Sequence, residues 1–126
     1  VEAAVQGGAQ GLIINNTTLA RPATLRSAYK GESGGLSGRP LAPRSRDMLR
    51  IVARIAAGRL VIVSCGGIES GQDILDRIRL GADLVQVYTA FAYEGPALLG
   101  RLKQEMLQSM RAAGVETLDD IRGADL

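Results

Sequence analysis

The chain has 126 residues and a net charge of +2, with one cysteine and no histidine. That length suits one small domain, and the weak, scattered positive charge without aromatic platforms argues against nucleic acid. A lone cysteine rules out an internal disulfide framework. The lack of histidine rules out His/Cys zinc sites and the Ser-His-Asp and Cys-His catalytic groups. No stretch reads as a transmembrane helix or a signal peptide. The first residue is Val1, not Met, and Val1–Gln6 reads as the tail of a helix already under way, ending at Gly7-Gly8. The expectation is a piece of a longer chain, a processed product or a domain cut from one.

Gly11–Ile14 is a short apolar run expected to form a buried strand, followed by Asn15-Asn16-Thr17-Thr18. Four small polar residues at a strand end suit hydrogen bonds to a ligand, or an Asx/ST turn that satisfies its own backbone. Leu19 to Arg44 is a long irregular segment with Gly31, Gly34, Gly35 and Gly38, then Pro40 and Pro43. Its glycines match neither G-x-x-x-x-G-K-[ST] nor G-x-G-x-x-G. The run Gly34 to Gly38 either brings backbone close to a ligand or is a flexible connector. Ser45–Ala57 is expected to be a helix, with Met48, Ile51, Val52 and Ile55 as its apolar stripe and Gly58 as its stop.

Leu60–Val63 reads as a second buried strand, which runs into Gly66-Gly67 and then a helix over Asp73–Arg79. Ser70 and Asp73 have capping-box spacing, and Gly81 is the expected stop. A strand, two glycines and a helix can aim backbone N–H groups at a phosphate; the alternative is a tight βα turn that needs glycine for packing. Ala82–Tyr88 is the third strand, followed by Thr89-Ala90. Pro96 opens a last helix that buries Leu98, Leu99, Leu102 and Met106 and ends at Gly114. Glu116 to Leu126 is a short polar tail with no sign of chemistry.

Strands alternating with helices imply a parallel sheet with right-handed crossovers. Three such units neither close a barrel nor make a good doubly wound sheet. The expected fold is α/β, the C-terminal portion of a TIM (β/α)8 barrel, about its last three βα units, filling 1–126 as one partial domain. In that fold the carboxyl ends of the strands form the active site, and phosphate often sits after strands seven and eight. The glycine turn and the Tyr88-Thr89 turn then face each other across one phosphate.

Several stretches together carry a family resemblance: Asn16-Thr17-Thr18, Arg21-Pro22, Glu32 to Leu41 (ESGGLSGRPL), Gly66-Gly67-Ile68, Ser70-Gly71-Gln72-Asp73 and Leu84 to Thr89 (LVQVYT). From about Gly11 to Leu126 the chain resembles the C-terminal part of a class 2, quinone-dependent dihydroorotate dehydrogenase. The resemblance implies an FMN enzyme of pyrimidine synthesis: dihydroorotate gives a hydride to the flavin and a proton to a serine base, yielding orotate, and quinone reoxidises the flavin. By position it implies that Asn16 and Thr17 hydrogen-bond dihydroorotate and that Gly38 and Gly67 approach FMN through backbone N–H. Tyr88 and Thr89, with Gly66 and Gly67, hold the phosphate. Asn15 stands where a flavin-contacting residue is often threonine. The serine base, a flavin-contacting lysine and the membrane-associating segment where quinone enters fall before Val1. Peripheral attachment to an inner membrane is therefore implied only through a segment absent here. Cys65 is expected to be packed rather than to serve as the base.

Two readings of different class follow: part of a dehydrogenase that is inactive without the upstream half, or a non-catalytic FMN- or phosphate-binding fragment. A third, another barrel enzyme with a phosphorylated ligand at the same end, is opposed by the Asn16-Thr17-Thr18 and Gly34 to Leu41 matches.

Overall fold

A computed structural model describes residues 1–126. The elements are α1 (Glu2–Gln6), β1 (Gly11–Ile14), α2 (Ala42–Ala56), β2 (Val61–Cys65), α3 (Gly71–Arg79), β3 (Leu84–Gln86), α4 (Thr89–Glu94) and α5 (Ala97–Ala112). Two 3-10 turns, Arg39–Leu41 and Leu118–Asp120, punctuate them. The strands form one parallel sheet in the order β1-β2-β3. Gly11 to Ile14 pair with Val61 to Ser64, and Val63 to Cys65 pair with Leu84 to Gln86.

Because side chains alternate along a strand, each strand divides between two faces. Ile14, Ile62 and Ser64 are buried in a core shared with Leu49 of α2, Ile74 and Ile78 of α3, and Leu98, Leu102 and Met110 of α5. On the alternate positions Ile13, Val61 and Leu84 stand open at 65%, 48% and 58% exposure. A parallel sheet covered by helices on one face only is what three units of a barrel expose when considered alone.

The local signals explain the helix boundaries. Ser70 caps α3 by accepting from the Asp73 backbone N–H at 3.1 Å, while Asp73 Oδ2 accepts from the Ser70 N–H at 3.0 Å. The pair satisfies two donors at a helix start. At the other end Gly81 adopts φ +89°, a conformation glycine takes cheaply. Gly71, the first residue of α3, lies against α5 so closely that a Cβ there would be 2.2 Å from the Met106 backbone nitrogen. Its N–H donates to Glu105 Oε2 at 2.8 Å, and Arg101 donates to Glu105 Oε1 at 2.7 Å. These two donors hold the Glu105 carboxyl below its ordinary pKa.

Four expectations are corrected. Helix α2 starts at Ala42, not Ser45, and its buried face is Ala42, Ser45, Leu49, Ala53 and Ala56. Met48, Ile51 and Ile55 of the expected stripe are exposed, and only Val52 packs against the core. The reason is close approach: small residues let α2 lie tight against the glycine turn, which rotates the larger stripe outward by one residue step, about 100°. In α5, Leu98, Leu102 and Met110 are buried, Met106 is half-buried and Leu99 is exposed. Strand β2 runs on through Ser64 and Cys65, and β3 is shorter than expected because α4 begins at Thr89. The C-terminal tail is docked: Ile121 is buried, and the N–H groups of Gly123 and Asp125 donate to the carbonyls of Ile78 and Arg79 at 3.0 and 2.9 Å.

Candidate functional site

Three connections meet at the carboxyl end of the sheet. Asn15, Asn16 and Thr17 leave β1, Cys65 to Glu69 leave β2, and Gln86 to Ala90 leave β3. Together with Ser37, Gly38 and Leu41 they line a cleft of about 280 Å³. All eight residues singled out in the sequence, Asn15, Asn16, Thr17, Gly38, Gly66, Gly67, Tyr88 and Thr89, line this one cleft.

The long segment after β1 is ordered rather than slack, and its order brings Gly38 to the cleft. Thr18 and Leu36 exchange backbone hydrogen bonds at 3.0 and 2.7 Å, closing the segment on itself. Inside it the Arg21 guanidinium donates to the carbonyls of Lys30 (3.0 Å), Glu32 (3.2 Å) and Gly34 (2.7 Å), as well as those of Thr18 and Leu19. Gly35 passes over Thr17, where a Cβ would fall 1.7 Å from Thr17 Oγ1. Ser37 and Thr89 then meet hydroxyl to hydroxyl at 3.0 Å, joining this segment to the start of α4.

The polar residues after β1 divide between the two uses foreseen for them. Asn16 Oδ1 accepts from the Thr17 N–H at 2.8 Å, and Thr18 Oγ1 accepts from the Ala20 N–H at 3.1 Å; both are local turn bonds. Asn15 Oδ1 is different: it is buried and has no donor in the chain. A buried acceptor without a partner costs about 1–3 kcal/mol and calls for a donor from a ligand or a water.

The glycine turn shows both of its expected faces. Gly66 and Gly67 adopt φ +103° and +73°, and their backbone N–H groups, like that of Tyr88, have no partner within the chain. Three free donors around one cleft favour an anion. The side where a Cβ of Gly67 would sit, however, is filled by Ala42, with Cβ at 2.6 Å and Cα at 2.8 Å. Glycine is therefore required there by packing against α2, and the cleft uses the backbone that this packing fixes.

Two acid–base groups line the cleft at β2, and both have partners. Glu69 takes Arg39 Nε and Nη2 at 2.8 and 2.6 Å. Cys65 is half-buried, and its thiol donates to the Asn15 carbonyl at 3.0 Å. Sequence reasoning missed Ser37, Gln86 and Glu69 as lining residues. Gln86 had a legible signal, a polar residue at an apolar strand's end. Glu69 and Ser37 had none apart from their neighbours.

Comparison with known proteins bears on the family and the fold. The dihydroorotate dehydrogenase family model matches residues 1–110. The chain is 45% identical to a dihydroorotate dehydrogenase (quinone) of Rhodospirillum rubrum over 124 residues, 98% of this chain and 34% of that protein. It is 42% identical to the mitochondrial dihydroorotate dehydrogenase (quinone) of Mus musculus over 118 residues, 94% of this chain and 30% of that one. The crystal structure of Eimeria tenella DHODH in complex with ferulenol superposes with a TM-score of 0.92 at 43% identity, covering 98% of this chain and 33% of that chain. The chain thus spans about a third of the length of the relatives it matches. Its three parallel βα units are part of a (β/α)8 barrel, as the alternation of strands and helices led us to expect. From the matched family model and the shared fold, the chain belongs to the dihydroorotate dehydrogenase family.

Proposed function

We propose that this chain supplies one wall of the flavin and substrate site of a quinone-dependent dihydroorotate dehydrogenase, which oxidises dihydroorotate to orotate in pyrimidine biosynthesis. The observation that carries the reading is convergence: residues from three separate βα connections, far apart in sequence, line one cleft at the carboxyl ends of parallel strands. The donor set fits FMN. A phosphate requires N–H donors, and Gly66, Gly67 and Tyr88 have them free. A flavin ring edge also carries an N–H that requires an acceptor, and Asn15 Oδ1 is an acceptor without a donor.

When bound, FMN supplies the two-electron acceptance that dihydroorotate oxidation requires. The chain's own residues bind and orient. Gly66, Gly67, Tyr88 and Thr89 hold the phosphate end, Gly38 approaches through its backbone, and Asn15 takes a ring donor. Asn16, whose Oδ1 serves the local turn, hydrogen-bonds the substrate's polar edge through its side-chain NH2, with Thr17 beside it. The family resemblance implies that the base taking the proton from dihydroorotate lies outside this chain; within it Cys65 and Glu69 are engaged by Asn15 and Arg39. Quinone is the acceptor that returns the enzyme to its oxidised form, and the membrane-associating segment lies elsewhere in the protein. No helix here is long and apolar enough to cross a membrane.

The partnered state of Cys65 and Glu69 also favours a second reading, a chain that binds flavin or phosphate without catalysis. Turnover of dihydroorotate by protein in which this segment joins the rest of the barrel separates the two. In that protein Asn16→Ala is expected to raise the dihydroorotate KM or lower kcat while FMN stays bound. Leaving the substrate's polar groups unpaired costs about 1–3 kcal/mol, roughly five- to 150-fold in kcat/KM. Unchanged steady-state kinetics with dihydroorotate removes Asn16 from the site.

A further inference from the structure

Arg77 of α3 is 1% exposed, and none of the eight ion pairs in the structure includes it. The nearby carboxylates are committed elsewhere, Asp73 to the Ser70 cap and Asp76 to Gln72. Burial first, and then the like charge of Arg46, lower its pKa to about 10, which leaves it charged at neutral pH. A buried cation without a counter-ion is costly, and proteins keep one where something offsets it.

Its hydrogen bonds point to what that is. Nη2 donates to the Gly66 carbonyl at 2.8 Å. Nη1 donates to Ser64 Oγ at 3.1 Å and to Ser45 Oγ at 2.6 Å, and Ser45 Oγ in turn donates to the Cys65 carbonyl. Two successive carbonyls, those of Cys65 and Gly66, are therefore held toward the guanidinium side. A trans peptide is planar, with its N–H pointing opposite to its C=O. Fixing these two carbonyls turns the N–H groups of Gly66 and Gly67 the other way, and these are the unpartnered donors of the cleft.

We infer that Arg77 is the positioning residue of the anion site: it aims two peptide N–H groups into the cleft and provides the buried positive charge that a ligand's phosphate group offsets. The inference rests on the flavin reading of the cleft. It predicts that Arg77 governs the preference for a phosphorylated flavin over its unphosphorylated counterpart. A residue that only supports the fold would affect both flavins alike.

The test uses full-length apo-protein titrated with FMN and with riboflavin, followed by quenching of flavin fluorescence. Wild type is expected to favour FMN. Arg77→Gln keeps hydrogen-bonding capacity but loses the charge, and is expected to lower the FMN-to-riboflavin affinity ratio at least tenfold, with riboflavin affinity changed less than threefold. Arg77→Lys keeps the charge and is expected to hold the ratio within about threefold. An unchanged ratio in Arg77→Gln, or an equal loss for both flavins, overturns the inference and leaves the flavin reading standing. A wild type without preference for FMN overturns the flavin reading itself, and this inference with it. If Arg77→Gln does not fold, Arg77→Lys and Ser45→Ala decide. Ser45→Ala removes the relay to Cys65 and is expected to lower the ratio about threefold; a folded Arg77→Lys protein without FMN preference overturns the inference.

Discussion

Gly71→Ala is expected to destabilise the protein by about 3 kcal/mol or more, although it adds a single methyl group to a helix. Helix propensity alone points the other way, since alanine is favoured over glycine by up to about 1 kcal/mol. Packing decides the sign. The new Cβ would lie 2.2 Å from the Met106 nitrogen and 2.6 Å from the Glu105 carbonyl carbon, both backbone atoms that no rotamer change can move. Relieving that contact prises α3 from α5. Overpacking costs about 1–3 kcal/mol, and the charge-assisted bond from the Gly71 N–H to Glu105 is stretched as well, worth about 1.5–3 kcal/mol. Gly100→Ala is the control. It lies on α5 with nothing within 4 Å of its would-be Cβ, so it is expected to be neutral or slightly stabilising. Denaturant midpoints of both variants check the pair, and a Gly71→Ala midpoint equal to wild type refutes the close contact.

Gly67→Val is expected to yield full-length protein without flavin. The position has φ +73°, which a β-branched residue adopts at a cost of about 1–3 kcal/mol. Its Cβ would also meet three atoms of Ala42 at 2.6–2.8 Å. Because that Cβ points at α2 and not into the cleft, Gly67→Ala suffers the same collision and is expected to lose flavin too. If free space for the ligand were the only requirement, alanine would be tolerated. Either substitution shifts the turn and misdirects the Gly66 and Gly67 N–H groups. Thr89→Ala is expected to be milder: it loses the 3.0 Å link to Ser37, worth about 1 kcal/mol, and keeps its backbone N–H. Flavin stoichiometry after purification ranks the three variants. Full flavin in Gly67→Val places the phosphate elsewhere.

Much of the site was legible because the strand-end rule converts sequence position into spatial position. Once Gly11–Ile14, the strand before Gly66 and the strand before Thr89 are read as parallel, their following residues must meet. Ser70 and Asp73 likewise announced the start of α3 through local bonds alone. What escaped the sequence depends on direction in space. Periodicity found a stripe on α2, but could not say that small Ala42 and Ser45, rather than Met48 and Ile51, face the turn. Arg77, written between Asp76 and Ile78 near Arg79, looks like any solvated helix residue until Ser45 and Ser64 close over it. Helix α4 gave no warning, because Tyr88 provides no side-chain cap. Gly67 lines the cleft, but the sequence carried no sign that Ala42 is its neighbour.

The spacing of the parallel ladders also bears on the order of folding. Joining β2 to β3 closes a loop of roughly 20 residues, about half of them in α3, whereas joining β1 to β2 closes roughly 45, a difference of about 0.7 kcal/mol in closure entropy. The β2–α3–β3 unit should therefore form first and serve as the template on which β1 docks. Pulsed hydrogen exchange during refolding of the full-length protein reports this directly. The Asp83 amide, which donates to Ile62, should be protected before the Val61 amide, which donates to Gln10; simultaneous protection argues against it. On the ribosome the order has a further cost. At about 5–20 residues per second, β1 emerges some 2–10 s before β2 is made, so its β2-facing edge stays open over that interval, which is one in which a chaperone has something to hold.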